Sequence, residues 1–210
     1  MIGIENFTSF IVVAFIFVIT PGIDTVFVLT KSITYGKKSG FYAGLGINTG
    51  VLSHTFFAAV GLSVLLSKSV FAFTILKYIG IIYLIYLGIS KFKNGNKILL
   101  LKEENLSDKS KKNIFWSGFL TNILNPKVAL FFLVFFPQFI SSKQLDNPIP
   151  FIFLGFTFAF IGIVWYFILA FFASSLSDTI KDNSTFNKWL HLISGTVFIV
   201  MAIHMAFSKF

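Results

Sequence analysis

Two proline residues interrupt apolar stretches of the chain, and each has an ionisable side chain within one helical turn. Asp24 follows Pro21 in Thr20-Pro21-Gly22-Ile23-Asp24-Thr25, and Lys127 directly follows Pro126. A proline inside a helix removes a backbone hydrogen bond and leaves carbonyl and amide groups without helical partners. Free backbone groups beside a carboxylate and an ammonium form the kind of site that binds a proton or the charged ends of a small zwitterion.

The Pro21 segment has two interpretations. In the first, Pro21, Gly22, Asp24 and Thr25 line a path for a substrate or a proton. In the second, the proline only bends the helix, and Asp24 caps the following half-helix or reaches water at the interface. An ionised side chain inside a membrane is costly unless it is paired, hydrated or protonated, so both interpretations require a polar environment for Asp24.

The Pro126 segment has the sequence Thr121-Asn122-Ile123-Leu124-Asn125-Pro126-Lys127. Lys127 is predicted near the middle of its apolar run, too far from either membrane surface for its ammonium to reach water by extension of the side chain. Its predicted partner is Asp24, so we expect Asp24 and Lys127 to face a shared central cavity beside Asn122 and Asn125. Lys127 then holds a substrate carboxylate or balances the charge of the site; a purely structural ion pair is the alternative.

A stripe of small and polar residues lies on the second apolar run, where Gly46, Gly50 and His54 recur every four residues and Asn48 lies beside them. Four-residue spacing places side chains on one face of a helix. Two glycines at this spacing allow a neighbouring helix to approach closely. An imidazole inside a membrane needs a partner, so His54 is predicted either to relay protons or to hold two helices together through a hydrogen bond.

The elements that position these residues are six apolar runs. Of the 210 residues, 56% are hydrophobic and only 12% are charged, which is about half the charged fraction of a soluble domain. A membrane-crossing helix needs about 20 mostly apolar residues, and continuous apolar runs predict helices rather than barrel strands. We therefore predict an all-α integral membrane protein, with residues 1–210 forming a single domain. Its six transmembrane helices form two inverted three-helix halves, and the first and fourth helices are broken at proline. The runs cover Phe7–Leu29, Phe41–Leu66, Val70–Ile89, Ile114–Ile140, Phe151–Leu176 and Trp189–Phe207, and a polar linker spans 91–113.

The distribution of lysine predicts the orientation of the helices. The formal charge is +9, and the chain contains neither arginine nor cysteine. The first, third and fifth connections carry twelve lysines, whereas the opposite side carries three, Lys68, Lys143 and Lys209. Positively charged loops stay in the cytoplasm, so we predict a protein of the cytoplasmic membrane with both termini outside. Because the lysines lie between apolar runs, their charge indicates topology rather than binding to nucleic acid.

Three segments resemble a known family. Pro21-Gly22-Ile23-Asp24-Thr25 resembles the first-helix signature of the LysE/RhtB amino-acid exporters, and residues 119–127 resemble their fourth-helix signature more closely still. Residues 76–88 are similar to their third helix, and the resemblance runs through nearly the whole chain. It implies export of amino acids or their derivatives, driven by the proton gradient, and a compact helical fold compatible with a homodimer. The family often has a second proline where Ile23 stands, so we expect a softer first break here.

Three classes of function remain to be weighed. A secondary exporter explains both interrupted runs, because the ends of half-helices can bind a small charged substrate near the midplane. The alternatives are a channel or structural membrane partner, for which no filter or ring motif is evident, and an intramembrane enzyme. The sequence lacks H-E-x-x-H, G-x-S-x-G and clustered metal ligands, so neither enzymatic activity nor a cofactor is predicted. The predicted partners are an amino-acid substrate, a proton and the lipid bilayer. The residues predicted to line the substrate or proton path are Pro21, Gly22, Asp24, Thr25, Asn48, His54, Asn122, Asn125, Pro126 and Lys127.

Overall fold

Residues 3–63, 70–93, 110–173 and 184–207 are described by a computed structural model of the chain. These residues form eight α-helices and one isolated antiparallel bridge between Ile4 and Ile140. The helices are α1 (Phe7–Ile19), α2 (Ile23–Tyr35), α3 (Lys37–Phe57), α4 (Val70–Lys93), α5 (Lys111–Ile123), α6 (Pro126–Leu130), α7 (Pro148–Phe171) and α8 (Ser184–Phe207). A π-helical turn, Ala58–Leu62, extends α3; a π-helical turn, Phe131–Phe135, and a 3-10 helix, Phe136–Phe139, extend α6.

Both predicted helix breaks are present. The axes of α1 and α2 differ by 52°, and α5 is bent by 49° relative to α6 with its extension. At the first break Gly22 is fully extended and α2 begins at Ile23. That this break is softer than in relatives with a second proline stays a prediction. At the second break the side chain of Asn125 accepts a hydrogen bond from the Lys127 backbone nitrogen and caps α6.

Among the described residues, four elements have the length and composition of a membrane span when each bent pair is taken as one. Two are continuous helices, Lys37–Leu62 and Pro148–Phe171, and two are the bent pairs α1–α2 and α5–α6. Their outer surfaces are apolar, with large side chains such as Phe160 exposed by 69%. Water does not favour so much exposed apolar surface, whereas lipid does. The described chain is therefore an all-helical membrane fold, and the arrangement of six spans in inverted halves stays a prediction.

The predicted boundaries of several runs are wrong by up to six residues. The first run ends at Tyr35 rather than Leu29, and α3 follows after the single residue Gly36, whose φ of 84° suits glycine. The helices are longer than the apolar runs because polar residues are tolerated at helix ends and on helix faces that meet other protein. The linker is also shorter than predicted, because Lys91 and Lys93 belong to α4. Its central part, 94–109, and the predicted ends at 64–66 and 174–176 lie outside the described residues.

Helix α3 is the centre of the packing and contacts α2, α5 and α7, while α4 pairs with α8. The glycine stripe of α3 faces α5. A Cβ added to Gly46 would meet the backbone carbonyl of Phe115, and one added to Gly118 would lie 2.7 Å from the carbonyl oxygen of Ala43. The close-packing interpretation of Gly46 and Gly50 is thus confirmed, and this packing brings the end of α5 against α3 and α2.

Candidate functional site

A small cavity lies where the two helix breaks meet. It is lined by Phe17, Val18, Thr20, Gly22, Asp24, Thr25, Val51, Asn122, Asn125, Lys127, Val128, Phe158 and Tyr166. The space open to the centre of a water-sized sphere is about 20 Å³, enough for roughly one water molecule. An amino acid does not fit in this space, and we call this form of the cavity closed.

Asp24 supplies the carboxylate of the site. It lies in the first turn of α2, where the helix dipole favours a negative charge, and only 6% of its surface is exposed. Its Oδ2 accepts a hydrogen bond of 2.8 Å from the Asn122 side-chain Nδ2. Among the described residues, its buried Oδ1 accepts no hydrogen bond of standard geometry, although the Asn125 side chain lies near enough to interact with the carboxylate. The carboxylate therefore retains an acceptor for a group that enters the cavity.

Lys127 supplies the cation, and its partners are backbone carbonyls. Its Nζ donates to the carbonyl oxygens of Phe17, at 3.0 Å, and Thr20, at 3.2 Å. These carbonyls are free because Pro21 ends α1, so the ammonium occupies the negative end of that helix. The ring centroid of Phe17 lies 4.2 Å from the same Nζ. Lys127 thus bridges the two breaks, since it lies in the first turn of α6 and binds the end of α1.

Asp24 and Lys127 line one cavity but do not contact each other as an ion pair. Within the described part of the chain, the Lys127 ammonium binds the two carbonyls, and the bonded oxygen of Asp24 binds the Asn122 amide. The structural ion pair that the sequence allowed is not formed in this closed state. The cavity instead has a carboxylate and an ammonium at separate positions, as binding of a zwitterion requires.

His54 and Gly50 position Asn122 from the α3 side. The Nε2 atom of His54 lies 3.2 Å from the Asn122 carbonyl oxygen, and because a carbonyl only accepts, Nε2 carries the hydrogen. The imidazole also stacks on Phe132, with 5.7 Å between ring centroids. A Cβ on Gly50 would lie 2.6 Å from Asn122 Oδ1, so the absence of a side chain there permits the contact. His54 does not line the cavity; it holds the residue that binds Asp24.

Comparison with known proteins bears on this arrangement. The model of the LysE type translocator family matches residues 15–209. The chain belongs to this family. Over 211 residues it is 34% identical to the uncharacterized membrane protein YrhP of Bacillus subtilis, with 97% of this chain and 100% of the relative covered. It is 28% identical over 206 residues to a leucine efflux protein of an Enterobacter species, with 97% and 96% covered. No solved structure matches the chain significantly.

Membership places the protein among membrane transporters rather than enzymes, and among amino-acid exporters at the level of the family. The described residues contain no group of three or more histidine, aspartate or glutamate side chains that could hold a metal ion.

Besides His54, three predicted site residues do not line the cavity. Pro126 is exposed, because a proline in the first turn of a helix can point outward while its fixed φ starts α6. Pro21 is buried, and its carbonyl oxygen accepts a hydrogen bond from Lys91. Asn48 lies against α7, where its Oδ1 would be 3.1 Å from a Cβ on Gly162. It is two residues from both Gly46 and Gly50 and thus points away from the face that meets α5.

The structure also adds a lysine that sequence reasoning assigned to the linker. Lys91 lies near the end of α4 and donates a 2.7 Å hydrogen bond from Nζ to the carbonyl oxygen of Pro21. A periodicity signal was available, because Gly80, Leu84, Leu87 and Lys91 recur at helical spacing. Lys31, also counted as a loop residue, is buried in α2 with its Nζ 5.4 Å from the ring centroids of Phe27 and Tyr35.

Proposed function

We propose that this translocator exports an amino acid across the cytoplasmic membrane by alternating access to the cavity between the two breaks. The carboxylate of Asp24 binds the substrate ammonium, and the ammonium of Lys127 binds the substrate carboxylate. The observation that carries the proposal is the buried, unbonded Oδ1 of Asp24 in the described structure, which faces a cavity shared with Lys127. A buried acceptor without a hydrogen bond costs free energy, and a donor that enters the cavity removes this cost. The closed state therefore favours binding of a cationic group.

Transport requires the cavity to enlarge, and the bent helices supply the movement. Four phenylalanine rings close the space beside Lys127. The ring centroid of Phe17 lies 4.2 Å from that of Phe131, 6.0 Å from that of Phe158 and 6.2 Å from that of Phe198. These rings come from α1, the α6 extension, α7 and α8. Rotation of the half-helices about the two breaks separates the rings and opens the cavity on one side at a time.

Proton coupling is assigned to Asp24. A carboxylate that binds either a proton or the substrate ammonium, but not both, exchanges one for the other. Release of the substrate outside lets Asp24 take up a proton, which is released on the cytoplasmic side before the next substrate binds. His54 is a positioning residue in this scheme, because its hydrogen bond goes to Asn122 rather than to the cavity.

The proposal includes six spans with both termini outside. Helices α4 and α8 have 24 residues each, long enough for about 36 Å at 1.5 Å per residue, which exceeds a hydrocarbon core of about 30 Å. Removal of Lys31 and Lys91 from the loops leaves ten predicted cytoplasmic lysines against three. The lysine bias thus supports the same orientation. A homodimer stays an expectation from the family.

Leucine is the first substrate to test. One relative is named a leucine efflux protein, and a second, apolar cavity adjoins Lys127. Its lining includes Leu84, Leu87, Leu130 and Val134, which suit an aliphatic side chain.

The test is counterflow of labelled leucine into proteoliposomes. Each batch of proteoliposomes is loaded with a different one of the amino acids that occur in proteins. Saturable exchange that depends on the internal amino acid supports a transporter, whereas linear, unsaturable flux indicates a channel. In a separate measurement with a pH gradient across the membrane, Asp24→Asn should abolish the export that this gradient drives. Asp146→Asn is the matched control, because Asp146 is exposed before α7 and the change in charge is the same. Full pH-driven export by Asp24→Asn protein refutes the assignment of Asp24.

A further inference from the structure

Lys91 lies on a face of α4 that is directed at the helix breaks. Along this face, a Cβ on Gly80 would clash with the side chain of Val134, and Leu84 and Leu87 line the apolar cavity that Lys127 also lines. Lys91 comes one turn later and reaches the Pro21 carbonyl. This face of α4 therefore contacts the region between the two breaks along its length. In the predicted orientation, Lys91 lies at the cytoplasmic end of the face.

Two ammonium groups consequently occupy the end of one half-helix. Lys127 binds the carbonyls of Phe17 and Thr20, and Lys91 binds that of Pro21. A helix end carries only a partial negative charge, so it does not neutralise two full positive charges. No carboxylate of the described residues forms an ion pair with either group: Asp24 binds Asn122 instead. This end of the site therefore has an excess of positive charge, which an anion would stabilise.

The hydrogen-bonding capacity of the two groups is also incomplete. An ammonium has three N–H donors. Among the described residues, Lys127 uses two of them and Lys91 uses one. Both lysines bind carbonyls of the same break, and a carboxylate with two oxygens matches two neighbouring cations.

We propose that Lys91 and Lys127 together bind the carboxylate of the transported amino acid, with Lys91 as a specificity-determining residue contributed by α4. In the closed state the Lys91 ammonium donates its hydrogen bond to the Pro21 carbonyl. Opening of the break moves this carbonyl away, and the ammonium then binds the substrate carboxylate. This inference rests on the proposed function, and it assigns to α4 the selection of substrates that carry a free carboxylate.

A purely structural role for Lys91, as a cap for the Pro21 carbonyl, makes a different prediction. Loss of a cap lowers the stability or the turnover of the protein for every substrate alike. Loss of a carboxylate-binding group weakens binding only of substrates that have a carboxylate. The two roles are therefore separated by comparing an amino acid with its amide.

The experiment measures counterflow of L-leucine by the full-length protein, with L-leucinamide as the carboxylate-free competitor. If the panel ranks another amino acid above leucine, that amino acid and its amide replace them. The variants are Lys91→Met, Lys91→Arg and Lys93→Met. Lys93 is the matched control because it is exposed on the same helix two residues further on, and its substitution removes the same charge.

Lys91→Met should raise the half-saturation concentration for leucine by about tenfold to a hundredfold, the loss expected for a hydrogen bond to a charged group. Inhibition by leucinamide should change less than about twofold, within the spread of a surface substitution. Lys91→Arg should restore most of the leucine affinity, and Lys93→Met should resemble the wild type. Equal weakening of leucine and leucinamide, or a leucine half-saturation unchanged from that of Lys93→Met, overturns the inference. Absence of saturable exchange by the wild-type protein refutes the proposed function itself.

Discussion

Substitution of Gly50 by alanine tests whether the Asn122–Asp24 hydrogen bond matters for transport. The added Cβ would lie 2.6 Å from Asn122 Oδ1 and 2.8 Å from Asn122 Cβ. Because the clash includes Asn122 Cβ, rotation of the amide alone does not relieve it. Ordinary contact begins at 3.4 Å, so the amide must retreat by about 0.8 Å. A retreat of this size directed away from Asp24 would lengthen the Nδ2–Oδ2 distance from 2.8 Å to about 3.6 Å, which is beyond hydrogen-bonding range.

The expected cost follows from the charge of the acceptor. A hydrogen bond to a charged group contributes about 1.5–3 kcal/mol, and each 1.4 kcal/mol corresponds to about tenfold. We therefore expect Gly50→Ala to reduce amino-acid counterflow by about tenfold to a hundredfold. The assay uses proteoliposomes with matched amounts of inserted protein, determined by quantitative immunoblot, and compares initial rates at several substrate concentrations.

Gly61→Ala is the matched control for this change. Gly61 lies in the π-helical extension of α3, and an added Cβ meets no atom within 4 Å. The control should transport like the wild type, which separates the steric effect on Asn122 from the general effect of alanine in α3. Gly50→Ala protein that transports within twofold of the control refutes the reasoning that Asn122 must remain against Asp24.

Substitutions at two further positions, His54 and Gly46, examine the same helix contact. His54→Phe keeps a ring that can stack on Phe132 but removes the donor to the Asn122 carbonyl, so counterflow should fall about tenfold. His54→Gln, which keeps a donor, should retain more activity. Equal rates for the two variants contradict a role of the hydrogen bond. Gly46→Ala places a Cβ against the Phe115 backbone carbonyl, which cannot rotate away, and should lower stability by about 1–3 kcal/mol. A melting temperature in detergent equal to that of the wild type contradicts the proposed closeness of α3 and α5.

Local chemistry made much of this protein predictable from its residues. Pro21 and Pro126 break their helices where they stand, because the missing hydrogen bond and the clash with the preceding turn act within a few residues. Polar groups in apolar runs are costly, so Asp24, Asn122, Asn125 and Lys127 could be singled out without coordinates, and all four line the cavity. The resemblance to the family, carried by these two segments and by residues 76–88, is confirmed by the family model over residues 15–209.

Contacts between distant segments could not be predicted in this way. The bond from Lys91 to Pro21 joins residues 70 positions apart, and that from Asn122 to Asp24 joins residues 98 apart. Which lysine reaches the break, and which asparagine reaches the carboxylate, depends on how helices rotate and approach each other. That geometry arises from packing at positions such as Gly50, where removal of a few atoms admits a neighbouring helix. A charge or hydropathy pattern indicates which residues are polar, but it does not give the distances between helices. Those distances determine that Lys127 binds backbone carbonyls and that His54 binds Asn122 rather than lining the cavity.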